Sequence, residues 1–156
     1  MVQRTVVESL AGATIGISAT LPATYDVAGY DASSIVFTNI GQVESYGNHG
    51  LAAAVTEFTP VETATVAKVK GSKNYGVMSL TMANVPSDAG QALLKTASES
   101  LSNVHYSVEV RYPDSEYHYL DVIVTKLEYV DGAVNDVHKL NVDLAICRKP
   151  VIVPQV

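Results

Sequence analysis

The sequence predicts an α+β fold that is mainly β: an antiparallel β-sandwich or barrel with one flanking α-helix. Three observations predict it. Several segments of the 156-residue chain alternate apolar and polar side chains with the two-residue period of a half-buried strand. Only one segment, residues 87–101, carries apolar residues at the helical period. The apolar residues, 47% of the chain, are mostly Val, Ala, Leu, Ile and Tyr, with no Trp and with Phe only at positions 37 and 58. Such a set favours pleated, half-buried surfaces. A chain of this length forms one domain with a sizeable core. The predicted division is an N-terminal arm over 1–12, a β domain over 13–147 and a C-terminal arm over 148–156.

Taken in order, residues 13–21 (ATIGISATL) form a strand stopped at Pro22, and Asp26, Gly29, Asp31 and the pair Ser33–Ser34 mark 23–34 as a loop. Residues 35–46 read as one long strand with a break at Gly41, where a bulge is cheap. Residues 47–60 (GNHGLAAAVTEFTP) read as a long loop with an Ala-rich apolar centre. Such a loop folds onto its own domain or packs on a neighbouring subunit, and Leu51, Ala53, Val55 and Phe58 are its candidate contact residues. Residues 61–70 alternate, GSKN (71–74) reads as a tight turn, and 75–85 runs back, so a hairpin is predicted. In its second strand Met78, Leu80 and Met82 share a face, assigned to the core.

Pro86 and Ser87 then break the strand. Ser87 is the expected N-cap, with Asp88 at the positive end of the helix dipole. Ala89, Ala92, Leu93, Thr96, Ala97, Ser100 and Leu101 form the expected buried stripe. Three strands follow. Val104, Tyr106, Val108, Val110 and Tyr112 share a face of the first, and Leu120, Val122 and Val124 one of the second, which runs over 117–130. After the Asp131-Gly132 turn, His138, Leu140, Val142, Leu144 and Ile146 point inward from the third. The tail RKPVIVPQV brackets Val151, Ile152 and Val153 between prolines, so it pairs along an edge, its own or a neighbour's.

The chemistry-bearing residues are sparse. Net charge is −6, a poor basis for gripping phosphates. No Lys or Arg occurs between Arg4 and Lys68, whereas six acids do. Cys147 is the single cysteine, which excludes an intrachain disulfide; Arg148 and Lys149 beside it would lower its pKa if it were exposed. His105 and Glu109 lie about 13 Å apart along a strand, too far to share a metal. His118 and His138 lie on strands expected to pair. No nucleophile, phosphate-loop, dinucleotide or zinc motif is present. No segment has the apolar length of a signal peptide core or a membrane span, so a soluble protein made in a cytoplasm is expected. An enzyme is therefore the least expected class, no cofactor is predicted, and apolar segments left over at both ends and mid-chain point to self-assembly.

The segments LPATYDVAGY (21–30) and IGQV (40–43), and above all NYG (74–76) followed by SDAGQALL (87–94), resemble the tail tube proteins of long-tailed, siphovirus-type bacteriophages. The resemblance covers 14–101 at motif level and only the order of elements from 104 to 146; the RKPVIVPQV tail has no counterpart in it. It implies a tail-tube fold whose subunits form hexameric rings that stack into the conduit for DNA ejection. The partners it implies are further copies of the chain, a tape measure protein and tail terminator and tip proteins, with the genome passing through unbound and no membrane involved. The location implied is the virion tail, assembled in the host cytoplasm. On that reading Glu44, Glu57, Glu62 and Asp143 are candidates for an acidic lumen that repels phosphates, or are ordinary outer-surface charges. Leu51, Ala53, Val55, Phe58, Val151, Ile152 and Val153 are candidate contacts between subunits. Another ring-forming tail or baseplate protein, or a tube protein of the type VI secretion kind, is the alternative.

Overall fold

The computed structural model describes residues 7–154, so six residues of the expected N-terminal arm and the last two of the tail lie outside them. Among the described residues there are ten strands and two helices: β1 (Thr14–Ser18), α1 (Val27–Tyr30), β2 (Thr38–Asn39), β3 (Val43–Ser45), β4 (Ala52–Phe58), β5 (Ala67–Asn74), β6 (Val77–Ala83), α2 (Ala89–Glu99), β7 (Tyr106–Arg111), β8 (Tyr117–Val130), β9 (Lys139–Ile146) and β10 (Val151–Val153). Eight strands make one antiparallel sheet in the order β2-β1-β7-β8-β9-β6-β3, with β10 also paired to β8. The sheet curls into a half-barrel. The remaining two, β4 and β5, pair only with each other.

The alternation read from the sequence builds the concave face. Met78, Leu80 and Met82 of β6 stand opposite Leu144, Val142 and Leu140 of β9, and all six are fully buried. Ile15 and Ile17, Val108 and Val110, and Leu120 and Val122 continue the same surface around the curl. Helix α2 closes it by packing against β8, β1 and β2. Its cap is Asp88, not Ser87: the Asp88 carboxylate accepts the Gln91 N–H at 2.9 Å and, with its second oxygen, the Gly41 N–H at 3.1 Å. The two carboxylate oxygens thus serve two backbone donors, one within the helix and one on the chain beside it.

The buried stripe of α2 also differs from the expected one. Gly90, Gln91, Leu94 and Ala97 face the core, while Leu101 is fully exposed and Ala89, Ala92 and Thr96 face outward. Two contacts set this rotation. Gly90 lies so close to the chain at 39–40 that a Cβ there would sit 2.4 Å from the Asn39 carbonyl oxygen. Gln91 ties three backbone groups: its Oε1 accepts the Val85 N–H, and its Nε2 donates to the Ala83 and Gly41 carbonyls.

Three strand expectations are corrected. The long strand over 35–46 is two short ones, β2 and β3, with the break carried by Gln42 at φ 58 beside Gly41. The loop over 47–60 contains β4. The hairpin of 61–70 with 75–85 does not form: β5 runs through the supposed GSKN turn and pairs backwards with β4. Gly71 sits against Ala54 at a bulge in that ladder, so the glycine marks a bulge rather than a turn. The chain turns instead at Gly76, whose φ is +81. The loop over 23–34 contains the one-turn helix α1, capped by Asp26.

Candidate assembly surfaces

The β4–β5 hairpin is the most exposed element. Register places Thr56 opposite Val69 and Phe58 opposite Ala67 on one face, and Val55 opposite Lys70 and Glu57 opposite Lys68 on the other. Every residue of β5, and all of β4 except Ala53, is exposed. Phe58 is 64% exposed, and Val61 at the tip is wholly so. Two antiparallel strands without a third strand or a helix against them are marginal in water. The apolar face therefore calls for a covering surface that its own sheet does not give. Leu51, Ala53, Val55 and Phe58, expected as contact residues, all lie on or beside this hairpin.

The convex face of the sheet divides into two halves. The half built by β1, β7 and the start of β8 is covered by residues 19–37. There Tyr30 stacks on Tyr119 at 5.1 Å and Phe37 leans on the same ring at 5.9 Å. Burial pushes the Tyr119 phenol up to about 12, with Glu109 nearby reinforcing it, and raises Tyr30 for the same first reason. Buried Asp121 is held by Arg148 Nε at 3.0 Å and by His105 Nδ1 at 3.0 Å, and the Arg148 guanidinium also lies 3.9 Å from the Tyr25 ring centroid. Arg148 is thus engaged by Asp121 beside Cys147. Cys147 is exposed at the surface, yet its thiol pKa is raised, first by partial burial and then by Asp121, with Arg148 opposing the rise. An open cleft of about 480 Å³ remains beside this cover, lined by Tyr30, Asp31, Phe37, Glu109, Arg111 and Tyr119. Within it Arg111 donates to Glu109, and Asp31 adds a further negative charge.

The other half, over β3, β6, β9 and the end of β8, is uncovered and polar. Ser79 donates to Asp143 at 2.7 Å, Thr81 to Asn141 at 3.0 Å, and Lys139 to Glu44 at 2.7 Å. Glu128 accepts from Asn141 and pairs with Lys126, and those hydrogen bonds hold its carboxyl below the usual range. The face carries Glu44, Glu128 and Asp143 against Lys126 and Lys139, a net −1. Of the four acidic candidates, the structure brings Glu44 and Asp143 together here. Glu57 and Glu62 lie on the hairpin instead, and Glu57 pairs with Lys68 at 3.5 Å. Glu128 was missed in the sequence because strand register across β8 and β9, not composition, places it on this face.

Val151, Ile152 and Val153 form β10 on their own copy, opposite Tyr119, His118 and Tyr117. They extend the line of β9 along β8, and Ile152 is 53% exposed. His138 does not meet His118: it stacks on Tyr129 and contacts Asp131, because it precedes β9 in the exposed turn. His118 instead meets His49 from the root of the hairpin, His118 Nδ1 to His49 Nε2 at 2.7 Å. Among the described residues no group of three or more His, Cys, Asp or Glu side chains is placed to hold a metal, and no helix is long and apolar enough to cross a membrane.

No family model and no curated protein matches the sequence. Solved structures do share the fold. A chain in the structure of the PVC extracellular contractile injection system, sheath/tube terminator in extended state, aligns with a TM-score of 0.69 at 11% identity, over 96% of this chain and 98% of that one. A chain of the anti-feeding prophage baseplate aligns at 0.66 and 10% identity, over 98% and 97%. The SPP1 tail tube aligns at 0.60 and 13% identity, over 92% and 77%. The chain therefore has the fold seen in chains of tail tube and tube terminator structures, and the architecture expected from its motifs is the one observed.

Proposed function

We propose that this chain is a structural protein of a phage-type tail, self-assembling into hexameric rings that stack into a tube through which DNA is ejected. The observation that carries the proposal is the β4–β5 hairpin, an apolar-faced element that projects from a complete core and pairs with nothing on its own sheet. A second copy supplies its cover. The fold shared with tail tube and terminator chains supports the same reading.

The uncovered polar half of the sheet is the face proposed to line the lumen. It offers four strands (β3, β6, β9 and β8). Six such faces joined edge to edge would make a wall of about 24 strands, more than the 16–18 that already leave an aqueous channel. Joining them also pairs the edge strand β3, which ends the sheet on this side. The wall's small negative charge per copy, repeated around the ring, disfavours phosphate binding without a dense acidic lining. In this arrangement Glu44 and Asp143 face the lumen, while Glu57 and Glu62 contribute at the contact between rings. Val151, Ile152 and Val153 are proposed as a further contact between copies along the free edge of β10. Tape measure, terminator and tip proteins are the partners such a tube needs, and the virion tail, assembled in the host cytoplasm, is its place. No catalytic role is assigned.

A tube terminator or baseplate ring is the second reading, favoured by the TM-score of 0.69 and near-complete mutual coverage with a chain of the PVC sheath/tube terminator structure. Substituting Phe58→Asp with Val69→Asp tests the shared premise. Sedimentation is expected to show loss of rings with the subunit melting temperature unchanged. Rings of normal size would remove the hairpin from the interface. Glu44→Lys with Asp143→Lys tests the lumen: virions that assemble but eject DNA slowly support it, and unchanged ejection contradicts it.

A further inference from the structure

We propose that His49 and His118 form a one-proton latch, which fastens the root of the β4–β5 hairpin to the sheet and releases when both rings are charged.

The geometry fixes the protons. Glu116 accepts from His118 Nε2, so that nitrogen carries hydrogen. In the neutral ring the lone pair is then on Nδ1, which faces His49 Nε2 at 2.7 Å, so His49 Nε2 must donate. One added proton is accommodated. It makes His118 an imidazolium whose Nδ1–H donates to His49 Nε2, after His49 moves its own hydrogen to Nδ1, and Glu116 balances the charge. A second proton is not accommodated. Two N–H groups would then point at each other across 2.7 Å with no acceptor between them.

Glu116, the carboxylate that accepts from His118, already balances the first charge. The Tyr112 ring packs 4.8 Å from the His118 ring, and Tyr46 lies beside Tyr112. Val110 of β7 and Ile152 of β10 stand opposite His118. Arg111 is engaged with Glu109. Asp114 holds the Glu116 backbone N–H at 3.0 Å, which leaves Glu116 as the carboxylate in contact with the pair. Burial, and then the neighbouring His118, keep the His49 pKa below the usual histidine value.

The latch adds to the packing of Tyr46 and Tyr75, which flank the hairpin's two legs, against the core. One leg leaves the sheet where Gly47 lies against the Ser79 backbone, with His49 two residues on. The other enters at Gly76, whose carbonyl accepts the Ile146 N–H at 3.0 Å. A group whose pKa is depressed in the closed form favours closure fully above its open-form value, about 6.5 for histidine, and loses that effect as pH falls through the depressed value. The opening constant of the root is therefore expected to rise about tenfold per pH unit across that window.

Hydrogen exchange on the purified chain between pH 7.5 and 5.0, corrected for intrinsic rates, tests the latch within a single copy, whether or not rings form. Protection at 48–52 and 74–77 is expected to fall on acidification while β7 and β8 keep theirs. His49→Gln is expected to abolish the fall: its amide donates to neutral His118 and its carbonyl accepts from charged His118, without adding charge. Equal protection at both pH values, or identical profiles for the two proteins, overturns the proposal. Imidazole nitrogen shifts give an independent reading: an unprotonated Nδ1 on His118 at pH 7.5 is expected, and a protonated one refutes the arrangement.

Discussion

Replacing Gln91 by Leu keeps the size and apolar contact of a wholly buried side chain but removes three hydrogen bonds to the backbone. The Val85 N–H and the Ala83 and Gly41 carbonyls are then left in a partly buried seam between α2 and the sheet. At about 1 kcal/mol for each group deprived of its partner, the loss is roughly 3 kcal/mol. For a domain of this size that lowers the melting temperature by about 6–12 °C. Thermal unfolding by circular dichroism, checked by urea titration at constant slope, reads it directly. A fall of less than about 2 °C would mean that water or rearranged backbone satisfies those groups, and that Gln91 does not fix the rotation of α2. Gln91→Glu sharpens the test. Its carboxylate would still accept the Val85 N–H but would face two carbonyl oxygens, so its pKa is raised on folding. The variant should be most stable relative to wild type below about pH 4.3 and lose that advantage as pH rises through the raised value.

Gly90→Ala places a methyl 2.4 Å from the Asn39 carbonyl oxygen and 2.8 Å from Ile40 Cα, so backbone must move; urea unfolding is expected to show a loss of about 1–3 kcal/mol, and a gain would contradict the contact. Cys147, with its thiol pKa raised by burial, is expected to react with iodoacetamide more slowly at pH 7.5 than a free thiol does, and faster alkylation would mean that Arg148 leaves Asp121 in solution.

The core was legible wherever one face of a strand is apolar. Met78, Leu80 and Met82, the apolar face from Tyr106 to Val110, and Leu140 to Ile146 all point where their alternation places them. The hairpin was not legible, because Lys68, Lys70 and Lys73 alternate with Val69 and Gly71 without regard to any core, and a glycine inside a ladder resembles one in a turn. The helix was found and its face misjudged, because hydrophobic period cannot register a buried glycine chosen for close approach or a buried glutamine chosen for its hydrogen bonds. The same limit hid Asp121, a buried carboxylate whose partners His105 and Arg148 lie 16 and 27 residues away in sequence. Of the candidate acids, Glu44 and Asp143 meet on one face only through the pairing of β6 with β3 and β9, which no local pattern encodes.

The central claim is that the apolar hairpin is covered by further copies of this chain and that the open four-stranded face lines the lumen those copies enclose. Electron microscopy of the purified protein at high concentration tests it most directly. Tubes of stacked six-fold rings are the expected result, and single rings would favour a terminator or baseplate ring. Monomers that do not assemble, even at high salt, would contradict the claim.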